Sequence, residues 1–277
     1  MSHQIIKYPD TSSYAVVDGQ DSIIFPVNSY EDLWHLNQVV DACNNLGTIP
    51  TITIPNLIDA QADRRFGSNQ SSGLKLVCKF LNTMKANFKI FHPHNPEVVE
   101  ALLDNVSIID NYGYIGRVLS EEFNRGMGIE GSYQDNLILF SSDAGGFKPL
   151  MKLADKLHWK GEIYGASKSR KYEEGKSKLI QVIDREDFQG KDILIIDDIC
   201  VNGGTFIGLA NMLRERNAGK IYLAVSHLTV SSPNPELFKL FDKVFTTNSK
   251  NLNYLVEGTG HDKIGYTPEN LKVINLF

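Results

Sequence analysis

No stretch of this chain approaches the roughly 20 consecutive apolar residues that cross a bilayer, and its first ten residues are polar rather than leader-like. A soluble, cytoplasmic protein is the expectation. Cysteine is sparse: Cys43, Cys78 and Cys200 are widely spaced, odd in number and set within apolar patterns. Neither a disulfide framework nor a zinc site is supported, and the three read as buried thiols. An excess of basic charge is also missing. With 28 Lys+Arg against 33 Asp+Glu and a formal net charge of −5, the chain offers no bulk polyanion-binding surface. Its partners are therefore expected to be small molecules, not nucleic acid or membrane.

The densest signal lies at residues 193–206. Ile193, Leu194, Ile195 and Ile196 form an apolar run, Asp197 and Asp198 follow at once, and Gly203-Gly204-Thr205 leads into a helical pattern through Phe206, Leu209, Ala210 and Leu213. Gly219 offers a stop, and 221–225 resumes an apolar run. This spacing reads as a βαβ unit whose acids and glycines gather at the strand-to-helix turn, the edge at which open α/β sheets bind ligands. Two carboxylates can accept hydrogen bonds from vicinal sugar hydroxyls or help hold hydrated Mg²⁺. Glycines let backbone N–H groups approach a phosphate without an intervening side chain. A phosphorylated ribose suits the combination, against the plainer reading of a strand end with incidental acids.

The same rhythm recurs along the 277 residues, a length sufficient for two α/β domains. Strands are expected at 14–17, 22–27, 49–54, 88–91, 136–140, 162–166 and 243–247. Helices are expected on the apolar faces Leu36, Val39, Val40, Cys43 and Leu74, Val77, Cys78, Leu81, and again at 97–103 and 147–157. Pro93 and Pro96 stop the strand at 88–91. Alternation with short connections calls for mainly parallel sheets covered on both faces. The domain boundary is placed at 130/131, giving domains 1–130 and 131–277. Stretches 61–73 and 167–177 lack periodicity and read as functional loops.

The stretch from Asp197 to Thr205 resembles the ribose-binding motif of type I phosphoribosyltransferases. Further segments narrow the resemblance to the ribose-phosphate pyrophosphokinases, the PRPP synthetases: Asp63-Arg64-Arg65-Phe66 after one strand, His92-Pro93-His94 after the next, Ser142-Asp143-Ala144-Gly145-Gly146, Lys168-Ser169-Arg170, and Ser226-His227 after the last βαβ strand. The resemblance covers most of the chain, with its motifs in the family's order. It implies two tandem type I phosphoribosyltransferase-like domains, Mg²⁺, ATP as co-substrate, and a homo-oligomer, dimer or hexamer. The implied reaction transfers the β,γ-diphosphate of ATP to the anomeric hydroxyl of a ribose 5-phosphate compound. By the same resemblance Lys168 and Arg170 close over the reacting phosphates, with His94 beside them. Gln61, Asp63, Arg64, Arg65 and His94 bind ATP on the N-terminal side, and His94 and Asp143 stand near the metal. Asp197, Asp198, Asn202, Gly203, Gly204 and Thr205 receive the ribose and its phosphate.

Each assignment competes with a structural role. Lys168 and Arg170 lie among Lys171, Lys176 and Lys178 and also fit a solvated basic loop; Asp143 is equally suited to cap a helix beginning near Phe147. Departures from the family pattern bear on the substrate. Val201-Asn202 replaces the usual Asp-Thr, Gln61-Ala62 the usual Arg-Gln, and His92 an aspartate. The apolar Val201 removes a polar contact from a loop expected to hold a terminal dianion. This admits a 5-substituted ribose such as ADP-ribose, which phage-encoded relatives of the family pyrophosphorylate. A phosphoribosyltransferase consuming PRPP and a catalytically silent regulatory relative are the competing readings.

Overall fold

The structure, a computed structural model, describes residues 3–65, 67–123, 133–173, 176–229, 235–250, 252 and 268–277, with backbone alone at 168–173, 176–181 and 235. Contacts group the chain into two units. One holds the chain up to Asp110 with Ser249, Lys250 and Phe277; the other runs from Asn111 to Asn248 and includes the C-terminal segment as far as Leu276. The expected boundary at 130/131 falls outside the described residues.

In the first unit, β1 (His3–Lys7) and β2 (Ser13–Val17) pair as an antiparallel hairpin. Its tip is closed by Asp10, whose carboxylate accepts from the amide and the hydroxyl of Ser12. Strands β3 (Ser22–Ile24), β4 (Thr51–Ile54), β5 (Asn87–Phe91) and β6 (Val106–Ile109) then form a four-stranded sheet in that order, every pair parallel. Parallel neighbours require crossovers, and α1 (Tyr30–Asn45), α2 (Gly73–Leu81) and α3 (Pro96–Leu102) supply them. Helix α1 opens on a reciprocal capping box between Ser29 and Asp32. Its inner stripe, Leu33, Leu36, Val39, Val40 and Cys43, joins Ile52 and Ile54 in one core.

In the second unit, β7 (Leu137–Ser141), β8 (Ile163–Gly165), β11 (Asp192–Cys200), β12 (Ile221–Leu228), β13 (Lys243–Thr247) and β14 (Leu271–Ile274) make a six-stranded sheet ordered β14-β13-β12-β11-β7-β8, again parallel at every pair. Helices α4 (Tyr112–Val118), α5 (Ala144–Lys156), α6 (Gly204–Glu215) and α7 (Pro235–Leu240) accompany it, α4 running on into a wide turn at Leu119–Phe123. Ile193–Ile196 is buried throughout because β11 lies centrally, so its apolar run is continuous rather than alternating. Strands β9 (Ser167–Glu173) and β10 (Lys176–Val182) form a separate antiparallel arm. The α/β class and mainly parallel sheets match the expectation, and all three cysteines are free and buried. Among the described residues no helix is long and apolar enough to cross a membrane.

Several elements differ from the reading of the sequence. Of the irregular loop expected at 167–177, residues 167–173 and 176–177 belong to the β9–β10 arm, which pairs backbone to backbone despite a polar β9 sequence that no apolar alternation marks. Strands β1, β6 and β14 and helices α4 and α7 were not anticipated; β6 and β14 are four-residue edge strands, too short for a period to register. Ser226 and His227 lie inside β12, buried, not after it. Replacing the fully buried Ile195 with alanine is expected to cost about 2–4 kcal/mol. Thermal unfolding of Ile195→Ala checks it, and an unchanged midpoint would contradict the central placement of β11.

Candidate active site

Strand β11 outlasts its neighbour. Its pairing with β7 ends at Ile196↔Ser141, whereas pairing with β12 continues through Asp197↔Val225 to Cys200↔Leu228. Asp197 and Asp198 are thus on the strand itself, not on the turn expected after it, and the β7-to-α5 turn lies beside them. That turn reaches across. The Ser142 hydroxyl donates to Asp197 Oδ2, and the Asp198 N–H donates to Asp197 Oδ1 at 2.9 Å. Even so, burial pushes the Asp197 carboxyl up to about 7, with the adjoining Asp198 charge adding to the effect and the Ser142 bond opposing it.

The chain then turns through exposed Val201 and Asn202 into Gly203, which is left-handed at φ 74° and buried. Only glycine fits here easily: a Cβ would strain the backbone and lie 3.2 Å from Leu237 of α7. Gly203 occupies the N-cap position of α6 without any side-chain cap, so the amides of Gly204, Thr205 and Phe206 open the helix with its positive dipole end. Gly204 and Thr205 are exposed, and a Cβ on Gly204 would meet nothing within 4 Å. Carboxylates and an open helix N-terminus therefore lie within six residues of one another. Such an edge can accept hydroxyls and donate to an anion.

Asp143 has the capping role weighed for it. It is the N-cap of α5, its carboxylate accepting from the Gly146 amide at 3.0 Å, and its own carbonyl accepts from Ser141 Oγ at 2.7 Å. Positions 168 and 170 sit two apart on β9, opposite Gln181 and Leu179 of β10 and in the same phase of the strand's repeat.

In the N-terminal unit, two loops meet at the C-terminal ends of β4 and β5. Asn95, which caps α3 through its side-chain oxygen, donates from Nδ2 to Asp63 Oδ2 at 3.2 Å. The Asp63 side chain is 8% exposed; Arg64, 3.8 Å from it, is 78% exposed, and Gln61, Arg65 and His94 are exposed too. Phe66 lies outside the described residues. His92 takes φ 37°, a strained value for a non-glycine residue, while its amide bonds the Ile109 carbonyl at 2.8 Å. The structure thus brings Asp63, Arg64 and His94 to one sheet edge, and Asp143, Asp197 and Gly203–Thr205 to another.

The sequence reading named Ser142 only within its motif, without a role, and missed Asn95 and Leu237. Ser142 carried a faint signal as a small polar residue ending an apolar run, and Asn95 as a cap before Pro96; their ties to Asp197 and Asp63 cross 55 and 32 residues of chain. Among the described residues no cluster of three or more His, Cys, Asp or Glu forms a protein-only metal cage. Mg²⁺ is commonly held by only one or two carboxylates together with water and phosphate, and Asp143 and the β11 acid pair are the carboxylates at this edge that would hold it.

The model of the phosphoribosyl transferase domain family matches residues 124–263, and the chain belongs to that family. The curated relatives it resembles are ribose-phosphate pyrophosphokinases. It is 26% identical over 227 residues to a ribose-phosphate pyrophosphokinase of Nostoc sp., covering 81% of this chain and 64% of that one. It is 29% identical to ribose-phosphate pyrophosphokinase 1 of Listeria monocytogenes, covering 81% and 67%. The chain thus spans about two thirds of the length of these curated relatives. The crystal structure of phosphoribosylpyrophosphate synthetase from Mycobacterium smegmatis shares the fold, with a TM-score of 0.75 at 19% identity over 99% of this chain and 86% of that one.

A stability effect arises from the buried acid. Because its folded pKa lies above the value of 3.8 for a free side chain, Asp197 contributes stability below pH 4 that is lost as pH rises to about 7. The stability of Asp197→Asn relative to the parent should therefore improve by about 2–3 kcal/mol between pH 5 and pH 8. Paired melting curves at the two pH values check this; an equal difference at both would contradict it.

Proposed function

We propose that the protein is a Mg²⁺-dependent pyrophosphokinase that moves the diphosphate of ATP onto the anomeric hydroxyl of a ribose 5-phosphate compound and releases AMP. The observation that carries the reading is the acid pair on β11 running directly into the uncapped, glycine-led N-terminus of α6. Asp197 and Asp198 accept the vicinal ribose hydroxyls, and the Gly203–Thr205 segment, with Asn202, holds the 5-phosphate group. The anomeric oxygen attacks the β-phosphorus of ATP, the bond to the α-phosphate bridging oxygen breaks, and the hydroxyl proton leaves to solvent.

Such a transfer depends on alignment and charge neutralisation more than on covalent help. On the N-terminal side Gln61, Asp63, Arg64, Arg65 and His94 serve ATP, and on the C-terminal side Asp143 serves the metal; Lys168 and Arg170 carry the charge that develops on the transferred phosphates. Bound Mg²⁺, with His94 near it, would supply Lewis-acid neutralisation of the phosphate oxygens. Val201, 41% exposed in the cradle loop, puts an apolar surface where a terminal dianion would call for donors. The acceptor read from this is ADP-ribose ahead of ribose-5-phosphate, in a cytoplasmic dimer or hexamer.

Incubation with ATP, Mg²⁺ and each sugar separately should release AMP, faster with ADP-ribose. Pyrophosphate release from PRPP plus a base would support a phosphoribosyltransferase instead, and neither activity would support a silent relative. Lys168→Ala should lower turnover about 100-fold or more with an unchanged melting temperature; equal turnover would remove Lys168 from the mechanism.

A further inference from the structure

The loop between β4 and α2 carries both arginines assigned to ATP. Building on that assignment, we propose that Tyr30 and Asp59 are positioning residues, a hydrogen-bonded brace that holds this loop so that Arg64 and Arg65 are presented to the triphosphate.

Tyr30 is the first residue of α1 and is 64% exposed, yet its hydroxyl donates to Asp59 Oδ2 at 2.9 Å. Asp59 itself is held in the left-handed region at φ 60°, a conformation that aspartate and asparagine tolerate better than most residues. Its carboxylate is lodged against the start of α2, where a Cβ on Gly73 would lie only 2.6 Å from Oδ2. The first residues of two helices therefore grip one side chain at the loop's entry.

The grip is passed along the backbone. The Ala62 amide bonds the Asp59 carbonyl at 2.8 Å, and the Ala62 carbonyl accepts from Ser72 Oγ at 3.1 Å and from the Leu74 amide at 3.3 Å. Asp63 is then fixed by Asn95 at 3.2 Å. Both acids of the loop serve as anchors, and the two residues after Asp63 are exposed cations. Tyr30 is the only anchor drawn from α1 among these bonds, and removing its hydroxyl leaves the helix packing untouched because the ring is already exposed.

Two measurements test the brace: hydrogen exchange of the amides at 60–65, and titration with magnesium ATP by calorimetry. Tyr30→Phe should melt with the parent, exchange faster across the loop and bind magnesium ATP about 3–10-fold more weakly, the effect of one lost hydrogen bond. Asp59→Asn retains an acceptor and the left-handed backbone, and should bind as the parent does. Unchanged exchange in Tyr30→Phe overturns the brace whatever ATP does. Faster exchange with unchanged affinity overturns its positioning role, as does an Asp59→Asn protein that binds no better than Tyr30→Phe. Failure of the parent protein itself to bind magnesium ATP overturns the ATP assignment of the loop, and exchange still decides the brace.

Discussion

Two carboxylates held side by side at the end of a buried strand are the constraint on which the C-terminal unit turns. Moving an ionised carboxylate out of water is unfavourable, and a second beside it compounds the cost. The protein concentrates its local hydrogen bonding there: the Ser142 hydroxyl and the Asp198 amide both point at Asp197. These donors do not return the acid to an ordinary pKa. What remains is a carboxyl that favours its neutral form, and hydroxyl donors or a cation brought beside it would offset that cost.

The open start of α6 complements that deficit. Left-handed Gly203, pressed against Leu237, forces the chain into the helix with no side chain over its first amides. Negative and positive ends of one βαβ turn are thereby displayed together, and a molecule with both hydroxyls and a phosphate satisfies each. In the N-terminal unit the division of labour is similar in kind. Asp59 and Asp63 are engaged by Tyr30 and Asn95, while Arg64 and Arg65 face solvent.

Much of this was legible in residue order, for a reason of burial. Central parallel strands are apolar without interruption, so 193–196, 137–140 and 221–225 announced themselves, and the glycines after Asp198 marked the turn. The helices with buried stripes, such as Leu36, Val39, Val40 and Cys43 on α1, were readable by spacing. What escaped was structure held by pairing or by distant partners. The β9 strand has no apolar face to reveal it, β6 and β14 are short edges, and the extension of β11 past its acids depends on β12 continuing beside it. Ser142 and Asn95 acquire meaning only when the fold sets them against Asp197 and Asp63.

The central claim is that the acid pair and the α6 amides hold one ligand together. The most direct measurement is a nitrogen-proton NMR titration of the protein with ribose 5-phosphate and with ADP-ribose, following the amides of Gly203, Gly204 and Thr205. The account predicts that these three move together and saturate with the better sugar, and that Asp198→Asn weakens the response without abolishing the folded spectrum. Resonances that stay fixed while either sugar binds elsewhere, or a response indifferent to Asp198, would contradict it.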